Sequence, residues 1–175
     1  MVGDYSIRPC CRQFWWSIVI RLLSQLQSQE SYRRFVYDDA TGHEIVPGYT
    51  VQGNPTIGYG RNLIAQGISE EEARVLLERD VARAWHEVRE HLPWAESQLS
   101  VVRFAVLVNM TFNLGIQGLL GFHEMLQALQ QGDYAGAADA MVQSLWYQQT
   151  GERARTLVEQ MRSNRWPALP RTTAL

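Results

Sequence analysis

Lysine is missing from this 175-residue chain: all sixteen basic residues are arginine. That is a bias of composition, and no function rests on it. Cysteine is nearly absent too. Cys10 and Cys11 are adjacent, and a trans peptide hardly allows the separation and dihedral that a disulfide between neighbours needs. A disulfide framework is therefore excluded, and no Cys/His spacing suits a metal. The histidines His43, His86, His91 and His123 form no HExxH or HxH pattern, so neither metal nor cofactor is expected. A surplus of positive charge is lacking as well. The net charge is -2, which argues against nucleic acid or anionic lipid as a partner.

Long apolar runs are also lacking. Phe14-Trp15-Trp16-Ser17-Ile18-Val19-Ile20 is broken by Arg21, far short of the ~20 apolar residues that span a bilayer. No small-residue cleavage site follows it. The expectation is an amphipathic helix packing on the body, with membrane association of this segment as the lesser alternative.

What remains is ordinary globular material: 46% apolar and 19% charged residues, enough for one compact unit or two small lobes sharing a helix. Residues 1 to about 13, with Gly3 and Pro9, read as an irregular stretch, and 1–16 as an N-terminal extension. Ile18, Leu22, Leu23 and Leu26 fall at helical spacing, predicting a helix over 17–29. Phe35, Val36 and Tyr37 read as a strand. Glycine and proline then punctuate residues 42–60, as in a small antiparallel sheet with hairpin turns. Ser69 followed by Glu70, Glu71 and Glu72 is a helix start with a possible capping box. The apolar stripe from Ala73 to Val88 predicts a helix over 69–91, roughly 30 Å long. Beyond Pro93 the pattern predicts helices over 97–114, 119–131, 134–144 and 151–162. The fold class is α+β: a small lobe with the sheet (about 30–68), a long connecting helix, and a larger all-helical lobe (about 95–167), together a domain over 17–167. A cleft between two such lobes would suit an extended polymer.

Glu30 closes the first helix, and Asp39 follows nine positions later in a polar turn. Two such carboxylates are the raw material of paired-acid catalysis, one donating a proton and the other staying ionised. Alone the pair says little, since solvated or turn-forming acids at this spacing are commonplace. The surrounding segments say more. Glu30-Ser31-Tyr32-Arg33-Arg34-Phe35-Val36-Tyr37-Asp38-Asp39-Ala40-Thr41-Gly42 is followed by Thr56-Ile57-Gly58-Tyr59-Gly60 and Asn62-Leu63. Far along come Asn109-Met110-Thr111-Phe112-Asn113-Leu114-Gly115, Gly121-Phe122, Ser144-Leu145-Trp146-Tyr147, Arg153-Ala154 and Arg165-Trp166. In this order, over about residues 20–167, they resemble the T4-type phage lysozymes and endolysins of glycoside hydrolase family 24.

The resemblance implies a lysozyme-like fold and a muramidase. Such an enzyme hydrolyses the β-1,4 bond between N-acetylmuramic acid and N-acetylglucosamine in peptidoglycan glycan strands, with inversion. It implies Glu30 as general acid, with Asp39 as second catalytic carboxylate and Thr56 helping to hold the attacking water. Phe112, Asn113 and Asn62 stand as substrate-binding positions, though core packing is the alternative for Phe112. Trp146 and Tyr147 read as core. An endolysin of this kind, a monomer without cofactor, would wait in the host cytoplasm and act in the periplasm, a pore-forming partner releasing it. A lytic transglycosylase, a muramidase domain of a tail protein and one of an interbacterial toxin are the alternatives. The chain departs from the family at several places. Ser31 replaces the usual glycine, which is tolerated if the backbone there is not left-handed. Residues His43 to Gln52 lengthen the hairpin between Asp39 and Thr56. Arg61 replaces a histidine, and Ala140 a polar sugar contact.

Overall fold

In this computed structural model the described residues are 9–167, with side chains described from residue 19 onward. The chain divides into two compact units, Met1–Glu70 and Glu71–Leu175. The first unit opens with α1 (Pro9–Gln29). It starts eight residues earlier than the apolar spacing predicted. Pro9, read from sequence as a break, suits the first turn of a helix, where its missing N–H costs nothing. Ile20, part of the run expected to pack on the body, is exposed, and so are Leu22, Leu23 and Leu26 further along the helix. The expectations for residues 1–8, and for the side chains of Phe14 to Ile18, lie outside the described residues.

After α1 come β1 (Arg33–Asp38), β2 (Pro55–Gly58) and β3 (Arg61–Asn62), an antiparallel sheet in the order β1-β2-β3. The register sets Tyr37 opposite Thr56 and Asp38 opposite Pro55, then Thr56 opposite Asn62. The long β1–β2 connection folds back on the other edge of β1. Tyr37 bridges Glu44, Asp38 donates its N–H to the His43 carbonyl (2.9 Å) and Ile45 donates to Val36 (2.9 Å). The inserted residues thus cover an edge that would otherwise present unpaired backbone groups. A one-turn helix, α2 (Leu63–Gln66), ends the sheet region.

The second unit is helical: α3 (Glu70–His91), α4 (Ala95–Gln98), α5 (Val101–Leu120), α6 (His123–Gln130), α7 (Tyr134–Val142), α8 (Leu145–Thr150) and α9 (Glu152–Ser163). The helix predicted over 97–114 is two elements, because the Ser100 side chain caps α5 by accepting from the Arg103 N–H. α5 runs on to Leu120 through a kink at Gly115, whose φ of 73° and ψ of 165° belong to glycine alone. By length and composition α5 could cross a membrane, yet Phe104, Val106, Leu107 and Met110 on it are buried in the core of this unit. α7 packs on α6 and α9, and α5 and α8 pack on α9. The C-terminal half of α3 joins the core through Ala84 and Val88, and through Trp85, whose ring lies 4.7 Å from that of Phe104.

Candidate active site

The end of α1 delivers Glu30. Its N–H makes the last helical bond, to the Leu26 carbonyl (2.8 Å), and its side chain is exposed. Its carboxylate lies beside the β2–β3 turn: a Cβ on Gly60 would sit 3.7 Å from Glu30 Oε2. Gly60 has a φ of +83°, a left-handed conformation that glycine adopts without steric cost. Asn164 is the one non-glycine residue with positive φ among those described. Ser31 is therefore not left-handed, which is the condition under which it can replace glycine.

Asp39 and Thr56 are brought together by a residue that sequence reasoning passed over, Asn54. The Asn54 N–H and Nδ2 donate to the two Asp39 carboxylate oxygens (2.6 and 3.1 Å). The Thr56 hydroxyl donates to the Asn54 carbonyl (3.1 Å). The Asp39 N–H closes the loop on that same carbonyl (3.1 Å). Asp39 is exposed, whereas Thr56 is buried. The Asn54-Pro55 dipeptide was legible only as a turn signal; its partners are set by the β1–β2 register.

Asp38 is the second omission. Its side chain is fully buried and gathers the inserted loop around itself. Oδ1 accepts from the N–H groups of Gly53 (2.9 Å) and Ala40 (3.0 Å). Oδ2 accepts from the Gln52 N–H (2.7 Å) and the Tyr49 hydroxyl (3.1 Å). With its proton committed to Asp38, the Tyr49 hydroxyl accepts from Thr41 Oγ1 (2.6 Å). The Gln52 N–H above all holds the Asp38 carboxyl below its usual 3.8; Ala40, Gly53 and Tyr49 add to this, against desolvation, which raises it. The approach of the loop is tight. A methyl on Gly53 would lie 2.2 Å from Asp39 Oδ1 and 2.8 Å from the Ala40 nitrogen.

The remaining expected residues divide differently. Asn62 is occupied locally: its Oδ1 caps α2, accepting from Ile64 (3.0 Å) and Ala65 (2.9 Å). Phe112 and Asn113 belong to the second unit, on α5. Phe112 is 40% exposed, which removes simple core packing as its role. The Arg153 guanidinium stands 5.6 Å from its ring centroid and bonds Asn109 Oδ1 through Nε and Nη2 (2.9 and 2.6 Å). Asn113, itself exposed, accepts at Oδ1 from the indole N–H of buried Trp146 (2.9 Å). Trp146 is core, as expected, and meets Phe122 edge-on at 5.8 Å. Beside them lies a cavity of about 640 Å³ lined by Phe122, His123, Met125, Ala140, Gln143 and Trp146.

Residues 27–165 match the Phage lysozyme family. The chain is 31% identical over 151 residues to the pre-baseplate central spike protein Gp5 of Enterobacteria phage T4, covering 76% of this chain and 26% of that protein. It is 27% identical over 93 residues to the probable T4-type lysozyme 1 of Dictyostelium discoideum, covering 52% of this chain and 55% of that one. The chain thus spans about a quarter of the first relative's length and about half of the second's.

Proposed function

Because the chain belongs to the phage lysozyme family, we propose that it is a muramidase, a glycoside hydrolase that cleaves the β-1,4 bond after N-acetylmuramic acid in peptidoglycan. The observation that carries this reading is the bonded group Asp39–Asn54–Thr56 in the same unit where Gly60 approaches the Glu30 carboxylate. In the proposed mechanism Glu30 donates a proton to the leaving glycosidic oxygen. Asp39, held by both Asn54 donors, keeps a carboxylate oriented to take a proton from the attacking water, and Thr56 fixes the floor on which that water sits. Bond cleavage at the anomeric carbon and delivery of water from the opposite side then give inversion. Phe112 and Asn113 are proposed to contact sugars, and the cavity at Ala140 and Trp146 is open enough to take part of the strand. The catalytic domain is proposed to be residues 17–167.

Two biological settings divide on what releases the enzyme. As an endolysin it would leave the host cytoplasm through a pore made by a partner and act as a monomer in the periplasm. As part of a virion it would open the wall from outside, a reading favoured by the similarity to a central spike protein. Gene neighbourhood separates the two. The chemistry is tested on purified Gram-negative sacculi. Glu30→Gln is expected to lower the rate by ~10²–10⁴-fold with the circular dichroism unchanged. Products are expected to carry a reducing end; anhydro sugars would mean a lytic transglycosylase instead. A variant keeping more than about a tenth of the rate would remove Glu30 as the acid.

A further inference from the structure

Tyr32 and Tyr59 do nothing for the core. Tyr32 is 63% exposed and Tyr59 47% exposed, yet their rings meet at 5.5 Å between centroids, tilted by 48°. Tyr59 sits at the tip of the β2–β3 turn between Gly58 and Gly60, both of positive φ. That turn needs its glycines, but nothing in turn chemistry asks for an aromatic ring at the tip, where small polar residues are the usual choice. Tyr32 lies two residues beyond Glu30, and Tyr59 is the neighbour of Gly60, the residue that approaches the Glu30 carboxylate. The pair thus joins one residue just beyond Glu30 to one beside Gly60, the two positions that come together at the candidate acid. Ring contact between them offers a modest local gain and still leaves much of each ring in water.

We propose that the Tyr32–Tyr59 pair is a saccharide-stacking subsite, holding one N-acetylhexosamine ring of the glycan strand next to the sugar whose bond is broken at Glu30. A pyranose turns a row of C–H bonds outward on one face. These carry partial positive charge and match the negative face of an aromatic ring. The phenol hydroxyls at the rim can exchange hydrogen bonds with sugar hydroxyls or acetamido groups. The tilt presents two faces at an angle, which suits a ring held in one orientation better than a flat surface would. The proposal rests on the muramidase reading, since the strand is what continues from the Glu30 carboxylate onto the pair.

The test is cosedimentation of the full chain with purified Gram-negative sacculi, in the Glu30→Gln background so that the wall is not consumed. Replacing Tyr59 or Tyr32 by Leu keeps apolar bulk and removes the aromatic face; affinity is expected to fall roughly tenfold for each. Tyr59→Phe and Tyr59→Trp, which keep a ring, are expected to bind within about twofold of the parent. Melting temperatures of all variants should stay together, because the side chains are exposed. Leu variants that bind like the parent overturn the subsite. So does a loss of affinity matched by a loss of melting temperature in the Phe variant, which would make the pair a structural brace. Active wild-type protein with unaffected Leu variants sinks the subsite alone; a wild-type chain that neither cuts nor binds sacculi sinks the muramidase reading with it.

Discussion

The bond between the Trp146 indole N–H and Asn113 Oδ1 joins the core of the second unit to a proposed sugar contact, and it can be weighed by a double-mutant cycle. Trp146→Phe keeps an aromatic ring against Phe122 but removes the donor and one ring's volume. Asn113 is exposed, so its freed oxygen is rehydrated, and the lost bond itself is worth about 1 kcal/mol. The missing ring adds a cavity cost of roughly 1–2 kcal/mol. For a chain of this size that total lowers Tm by about 4–12 °C. Asn113→Ala is the opposite case. It strands the N–H of a side chain only 7% exposed, which costs about 1–3 kcal/mol. In the double variant the stranded donor is gone, so the cycle is expected to show a coupling of about 1 kcal/mol. Urea denaturation followed by far-UV circular dichroism gives the four stabilities without relying on the fluorophore being replaced. In parallel, KM on sacculi should rise for Trp146→Phe, because the Asn113 amide loses the bond that holds it. A coupling within about 0.3 kcal/mol of zero would refute the reasoning, since independent sites add to that precision.

Three further outcomes follow from the site and its supports. Gly53→Ala forces Asp39 off its Asn54 donors, and a displacement of this kind costs roughly 10²-fold in rate; kcat and Tm measured together should show the rate falling much further than the fold. Asp38 has a lowered pKa, so its contribution is fully present above the ordinary carboxylate value of 3.8 and is lost as pH falls through the depressed folded value. Asp38→Asn should thus be less stable at neutral pH and show a flatter acid limb in Tm against pH; an unchanged limb would exclude Asp38 as its source. Gly115→Ala meets no atom within 4 Å, so its whole effect is backbone strain of about 1–3 kcal/mol; a raised Tm would mean that the kink straightens at no cost.

What was legible in the sequence was whatever is written locally. The apolar stripe from Ala73 to Val88 marks α3 to within a residue at its start, because a 3.6-residue period sustained over several turns has no competing reading. The glycine at 115 marks the kink that ends the regular part of α5. The hairpin around Gly58 and Gly60 was likewise visible, since positive φ is written in glycine. The start of α1 was misplaced because proline breaks a helix interior but is at home at its first turn, and composition alone does not say which applies. Asp38 and Asn54 were missed for a different reason. Both act across a connection of more than ten residues, largely through main-chain groups whose placement depends on strand register, not on any residue pattern. Asn62 shows the converse. A side chain singled out by motif is engaged by the helix that starts beside it.

The hydrogen bonds around Asp38 also bear on how this loop can evolve. Three of its four donors are peptide N–H groups, at Ala40, Gln52 and Gly53, and any residue except proline supplies one. Between them, His43 to Val51 owe the carboxylate a single side chain, Tyr49. Mutations there can accumulate, and with them new surface chemistry along the insertion, while the backbone path that delivers Asp39 stays the same. The constraints that remain are few and easily stated: a carboxylate at 38, a hydroxyl at 49, no proline at 40, 45, 52 or 53, glycine at the positive-φ positions 42 and 48, and nothing larger than hydrogen on the α-carbon of Gly53.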